Sequence, residues 1–109
     1  MQYKMIFGAK RRPGMSREDF GRYWTTTHAD KARRVPGIQR YVINLAPDLA
    51  NSGDEQPYDG FAEVWFESEA AMRASADSPE VKLVLADEKN LFDLATRFTV
   101  IVTEHVMIK

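Results

Sequence analysis

Three residues of this chain combine a suitable side chain with a suitable place in the sequence pattern for moving protons: His28, Tyr41 and Glu63. His28 follows Trp24 by one helical turn, on the face that also carries Phe20, Tyr23 and Thr27. An imidazole gains and loses a proton near neutral pH, which suits a general acid or base. The same histidine also fits a structural role near a helix C-terminus, where the dipole favours it. Tyr41 can donate its hydroxyl to a ligand oxygen from the floor of a sheet, or fill the core with its hydroxyl at the rim. Glu63 alternates with Phe61 and Trp65 in a strand expected to be central. A carboxylate there is costly to bury unless protonated or paired. It therefore reads either as a pocket acid with a raised pKa or as the partner of an arginine such as Arg40. In the catalytic reading His28 transfers the proton, Tyr41 polarises an oxygen, and Glu63 orients one of them.

Aromatic residues supply the expected walls. Phe20, Trp24 and Phe92 lie on inward helical stripes, and Trp24 and Trp65 can stack on a flat ligand; Trp65 also suits a core or an interface. Asp87 and Glu88 are adjacent, so one should point inward from the last helix and the other into solvent. His105, beside Glu104, fits an interface better than catalysis. The two histidines have no carboxylate at ligand spacing, so no metal site is expected. The absence of cysteine removes disulfides, thiolate catalysis and Cys-ligated clusters.

The elements that must hold these residues follow from alternation and punctuation. Residues 2–10 alternate as a strand, with Tyr3, Met5, Phe7 and Ala9 on one face. Pro13 and Gly14 turn the chain, and Ser16 caps a helix running from about Arg17 to Arg34. Pro36 and Gly37 stop it. A second strand spans Ile38 to Ala46, and a polar loop spans Pro47 to Tyr58. Gly60 to Glu67 is a third strand. Ser68 and Glu69 begin a short helix to about Ala76, and Ser78-Pro79 begin another with the inner stripe Val81, Val84, Leu85, Glu88 and Phe92. Arg97 to Ile108, rich in Val, Ile and Thr, reads as a final strand. The order β-α-β-β-α-β predicts one α+β domain of the ferredoxin-like type, an antiparallel four-stranded sheet with helices on one face.

Both faces of that sheet are apolar: Met5 and Phe7 oppose Ile6, and Val100 and Val102 oppose Ile101. A sheet face left in water would be polar, so a second copy of the same sheet is expected to cover it, giving a homodimer. The 109 residues carry 44% hydrophobic and 28% charged side chains, with a net charge of −1. That balance offers no basic field for nucleic acid or an anionic membrane, and no apolar run is long enough to span a bilayer. Without a signal-peptide pattern, a cytoplasmic location is expected.

The run from Phe7 to Phe20, with Tyr23-Trp24 and His28-Ala29, resembles the opening of EthD-domain proteins. Pro36-Gly37-Ile38, Arg40-Tyr41, Tyr58-Asp59-Gly60, Glu63-Val64-Trp65-Phe66 and Thr103-Glu104-His105 continue the resemblance over nearly the whole chain. It implies a dimeric α+β barrel with a ligand pocket in each protomer between sheet and helices. The family takes its name from a protein of ethyl tert-butyl ether breakdown. Its superfamily includes methylmuconolactone isomerase, cofactor-free polyketide oxygenases, decarboxylases and heme-degrading enzymes. His28 and Tyr41 are similar to pocket residues of the isomerase branch, which also uses a pocket cysteine that this chain lacks. Three functions follow as expectations. The first is a cofactor-independent enzyme or enzyme accessory acting on a small apolar carbonyl or phenolic compound, including oxidoreductase, isomerase or decarboxylase chemistry in catabolism. The others are a non-catalytic carrier of an apolar metabolite, and a heme binder with His28 or His105 as axial ligand.

Overall fold

The computed structural model describes residues 3–47 and 56–109; most of the expected loop from Pro47 to Tyr58, with Gln2, lies outside them. Among the described residues there are four strands: β1 (Tyr3–Ala9), β2 (Ile38–Leu45), β3 (Gly60–Phe66) and β4 (Phe98–Val102). They form one antiparallel sheet in the order β2-β3-β1-β4. The fold is the expected ferredoxin-like α+β arrangement.

The helices are α1 (Arg17–Tyr23), a π-helical segment over Trp24–His28, α2 (Ala29–Ala32), α3 (Glu69–Ala76) and α4 (Pro79–Asp87). α1, the π segment and α2 are continuous, so they correspond to the single helix read from the sequence. Three serine caps start the helices. Ser16 Oγ accepts from the Asp19 amide, Ser68 Oγ from Ala71 and Ser78 Oγ from Val81. Each satisfies an amide that the first helical turn leaves unpaired.

The core sits between sheet and helices. Phe7 and Ala9 of β1, and Ala62, Val64 and Phe66 of β3, pack there against Phe20, Trp24, Leu91 and Phe92. Alternation therefore sends Phe61, Glu63 and Trp65 to the opposite, outer face of the sheet. Gly8 and Gly60 let the layers come close. A Cβ on Gly60 would lie 2.7 Å from the Trp24 ring, and one on Gly8 would lie 2.6 Å from the Gly60 carbonyl oxygen.

Two expectations need correction. The last strand ends at Val102, not near Ile108, and Val106, Met107 and Ile108 are exposed. Its register with β1 runs from Phe98 opposite Gly8 to Val102 opposite Lys4, where the ladder ends. High β propensity without a neighbouring strand does not make a strand. Thr27 is exposed, not inward, because the π segment changes the helical phase between Trp24 and His28.

Candidate functional site

A cavity of about 220 Å³ lies between the sheet and the helices. Its walls are mostly apolar, from Met5, Phe7, Val64 and Phe66 on the strands and Val81 and Val84 on α4. Its polar groups are few: the hydroxyls of Tyr41, Ser75 and Thr99, and the ion pair of Glu88 with Arg97. A few placed polar groups in an apolar concavity are the usual make-up of a small-ligand site.

Tyr41 reaches the cavity from β2. Its hydroxyl accepts a hydrogen bond from Trp24 Nε1 at 3.0 Å. Burial pushes its pKa up to about 12, only partly opposed by that bond and by the charge of Arg33. The hydroxyl therefore stays protonated at neutral pH and is a donor, not a base.

Glu88 begins the 3₁₀ turn that ends α4 and is 4% exposed. Its Oε1 accepts from Arg97 Nε at 2.6 Å, and Arg97 Nη1 donates to Thr99 Oγ1. The Arg97 guanidinium also lies 5.6 Å from the centre of the Phe7 ring. Asp87 is equally buried, at 4%. The expected division into one inward and one solvated carboxylate is thus wrong. The helix axis ends between them, and the tighter turn that follows keeps both inside.

His28 is fully buried. Its Nδ1 lies 2.8 Å from Asp87 Oδ2. Asp87 also accepts from the Tyr23 hydroxyl at 2.6 Å, the Lys31 ammonium at 3.1 Å and the Asn90 amide at 2.8 Å. Burial alone would push the Asp87 carboxyl up, but the bonds from Tyr23, Asn90, His28 and Lys31 outweigh it and hold the group well below the usual carboxylate range. Burial, and then the bond to Asp87, pushes the Tyr23 hydroxyl up. An ionised Asp87 fixes the proton on His28 Nδ1. The other nitrogen, Nε2, is buried without a partner among the described residues. His28 lies beside the site without lining the cavity, one helical turn before Ala32, which does line it.

Phe20, Trp24 and Phe92, expected as cavity walls, instead pack against one another. The ring centres of Trp24 and Phe92 are 4.9 Å apart and those of Phe20 and Trp24 are 5.4 Å apart, both edge to face. None of the three lines the cavity; they are the core behind it. Glu63 and Trp65 are on the other face of the sheet. Glu63 pairs with Lys4 at 2.6 Å, not with Arg40, and Asn44 donates to it at 3.0 Å. The bond from Lys4 lowers its pKa, the reverse of the raised value expected of a pocket acid. Arg40 instead stacks on Trp65 at 4.6 Å, and Lys4 lies over the same ring at 4.7 Å. His105 is exposed in the tail after β4. Sequence reasoning missed the Glu88–Arg97 pair as a unit at the cavity. Its only signal is the inward stripe that includes Glu88.

Among the described residues no cluster of three His, Asp or Glu side chains could hold a metal ion, and no helix is long and apolar enough to cross a membrane.

No curated protein shows significant sequence similarity to the chain. Solved structures share its fold. An EthD-family (ethyl tert-butyl ether d) protein from Bacillus halodurans superimposes with a TM-score of 0.77 at 18% identity, covering 96% of this chain and 100% of its own. A dimeric ferredoxin-like protein of unknown function from Thermobifida fusca gives 0.70 at 19% identity, covering 95% and 92%. SnoaB, a cofactor-independent oxygenase from Streptomyces nogalater, gives 0.66 at 15% identity, covering 98% and 96%. The EthD domain matches residues 12–95, a span that includes His28, Tyr41, Asp87 and Glu88. By that match, this chain belongs to the EthD family.

Proposed function

We propose that the chain binds a small, largely apolar carbonyl or phenolic compound in the 220 Å³ cavity and moves a proton on it without an organic cofactor. The observation that carries this reading is an apolar cavity whose wall holds both a protonated tyrosine hydroxyl and a carboxylate. Tyr41 donates to the oxygen on which negative charge develops, and Glu88 is the carboxylate that takes the proton. His28, held by Asp87 through Nδ1, stands behind Ala32 of that wall and steadies the end of α4 from which Glu88 follows. Enolisation, isomerisation and cofactor-free oxygenation all begin with such a step, and SnoaB is a relative in fold for the last of them.

The test uses phenylacetone, a one-ring compound with an enolisable ketone, in deuterated buffer. Proton NMR should show the wild-type protein accelerating exchange next to the carbonyl. Tyr41→Phe should lose roughly 10²–10³-fold of that rate, the usual effect of removing one donor to a developing oxyanion. Binding without acceleration in the wild type would move the chain to the carrier reading.

The same reading makes the chain a homodimer closed sheet against sheet. Phe61 and Val100 are 40% and 46% exposed on the outer face, beside Ile6, Val42 and Val102. The Thermobifida fusca relative is described as dimeric. Light scattering at micromolar concentration should give twice the 12.5 kDa chain mass; a stable monomer overturns the dimer.

A further inference from the structure

We propose that the Glu88–Arg97 pair reads the ligand, and that it selects an uncharged single-ring phenol over the corresponding carboxylic acid. The proposal rests on the cavity described above being the ligand site, and it narrows what that site takes. Size gives the first limit. An engineered apolar cavity of about 150 Å³ holds benzene, so 220 Å³ has room for one ring with one or two small substituents. A fused compound of three or more rings exceeds that volume by the same scaling.

Charge gives the second limit. Glu88 is almost fully buried and its Oε1 accepts a hydrogen bond from Arg97 Nε. The pair is neutral as a whole, and Arg33, whose charge reaches Tyr41, is itself paired with Asp30 at 3.0 Å, so neither cation offers a ligand an uncompensated charge. A ligand carboxylate brought there would face Glu88 in surroundings of low dielectric, where like charges repel strongly. A phenol matches both members of the pair. Its hydrogen can go to the second carboxylate oxygen of Glu88, which takes no hydrogen bond from any described residue, and its oxygen can accept from the guanidinium. Thr99 and the Phe7 ring hold the guanidinium in place for this. Met5, Val64 and Phe66 then enclose the ring of the ligand.

The test compares toluene, 4-methylphenol and 4-methylbenzoate, which share the methylbenzene ring and differ in the para group, by NMR titration at pH 7.5. Toluene should bind, which reports the cavity alone. The wild type should prefer 4-methylphenol to 4-methylbenzoate by about tenfold or more, the direction that like-charge repulsion dictates. Glu88→Gln leaves Arg97 without its counter-charge, so the preference should shrink or reverse. If that variant does not fold, Arg97→Lys keeps the charge and loses the fork; it should weaken 4-methylphenol and leave toluene unchanged. Toluene binding together with equal or better binding of 4-methylbenzoate to the wild type overturns the ligand-reading role alone. A phenol-to-benzoate ratio unchanged in Glu88→Gln does the same. If none of the three probes binds, the cavity is not the ligand site and both readings fall.

Discussion

Asp87→Ala is expected to lower the stability of the fold by about 3–5 kcal/mol, the range for removing one member of a buried charged network. Asp87 accepts from Tyr23, His28, Lys31 and Asn90 at once, so its loss leaves a fully buried imidazole and a tyrosine hydroxyl without their acceptor. The network joins the long first helix to the end of α4, beside the packing of Ala32 against Val84. Urea unfolding followed by far-UV circular dichroism measures the loss. Asp87→Asn, which keeps the volume and the bonds from Tyr23 and Lys31, should cost less. An Ala variant as stable as the wild type would show that packing alone holds α4 in place.

The same carboxylate sets an acid limit. Folding depresses its pKa below the ordinary 3.8. The unfolded chain therefore takes up this proton first. The stabilisation is complete above the ordinary value and is lost as the pH falls from there towards the folded-state value. In the wild type the urea midpoint should hold steady from neutral pH down to about pH 5 as far as this group is concerned, and fall below about pH 4. In Asp87→Asn that acid-side fall should be shallower.

Trp24→Ala is expected to cost about 3–5 kcal/mol, the usual loss for truncating a buried tryptophan or phenylalanine. Trp24 is wholly buried, meets Phe20 and Phe92 edge to face, and donates to Tyr41. Trp24→Phe separates packing from hydrogen bonding. It keeps most of the apolar contact, loses the bond to Tyr41, and should cost about 1–2 kcal/mol. Thermal unfolding checks both. Because Trp24 lies behind the cavity, the Phe variant should still bind toluene. A large loss of toluene affinity in Trp24→Phe would make Trp24 a wall of the site after all.

Much of this architecture was legible in the sequence because its signals are local. Ser16 and Ser78-Pro79 mark helix starts through bonds that span three residues, and β1 and β3 show their alternation within seven. The last strand misled because β-formers continue to residue 108, while the ladder with β1 ends at Val102. The site was legible only in part. Tyr41 reaches the cavity, and His28 is buried as the helical pattern implied. Its partner Asp87, however, lies 59 positions away, and no local signal names it. Glu63 misled for a different reason. The alternation holds, but with both sheet faces apolar, nothing local says which face the helices cover. Phe20, Trp24 and Phe92 were placed on the right side of the sheet, yet periodicity cannot tell a ring that lines a hole from one that fills it.

The π-helical turn from Trp24 to His28 has a consequence for how this chain can vary. A π turn is an α-helix carrying one residue too many. Here the surplus falls on Thr25, Thr26 and Thr27, all exposed. The hydroxyls of Thr25 and Thr26 bond back to the carbonyls of Gly21 and Arg22 on the outside of the helix. The wide turn absorbs the surplus, so Trp24 before it and His28 after it both face inward. Deleting one threonine would remove the surplus and let the helix relax to the α repeat with the residues on either side still in phase. His28 would keep its place beside Asp87, and Ala32 its place in the cavity wall. Across related sequences this segment should therefore vary in length by one residue without loss of the fold, which a regular helix, turning by about 100° per residue, does not allow.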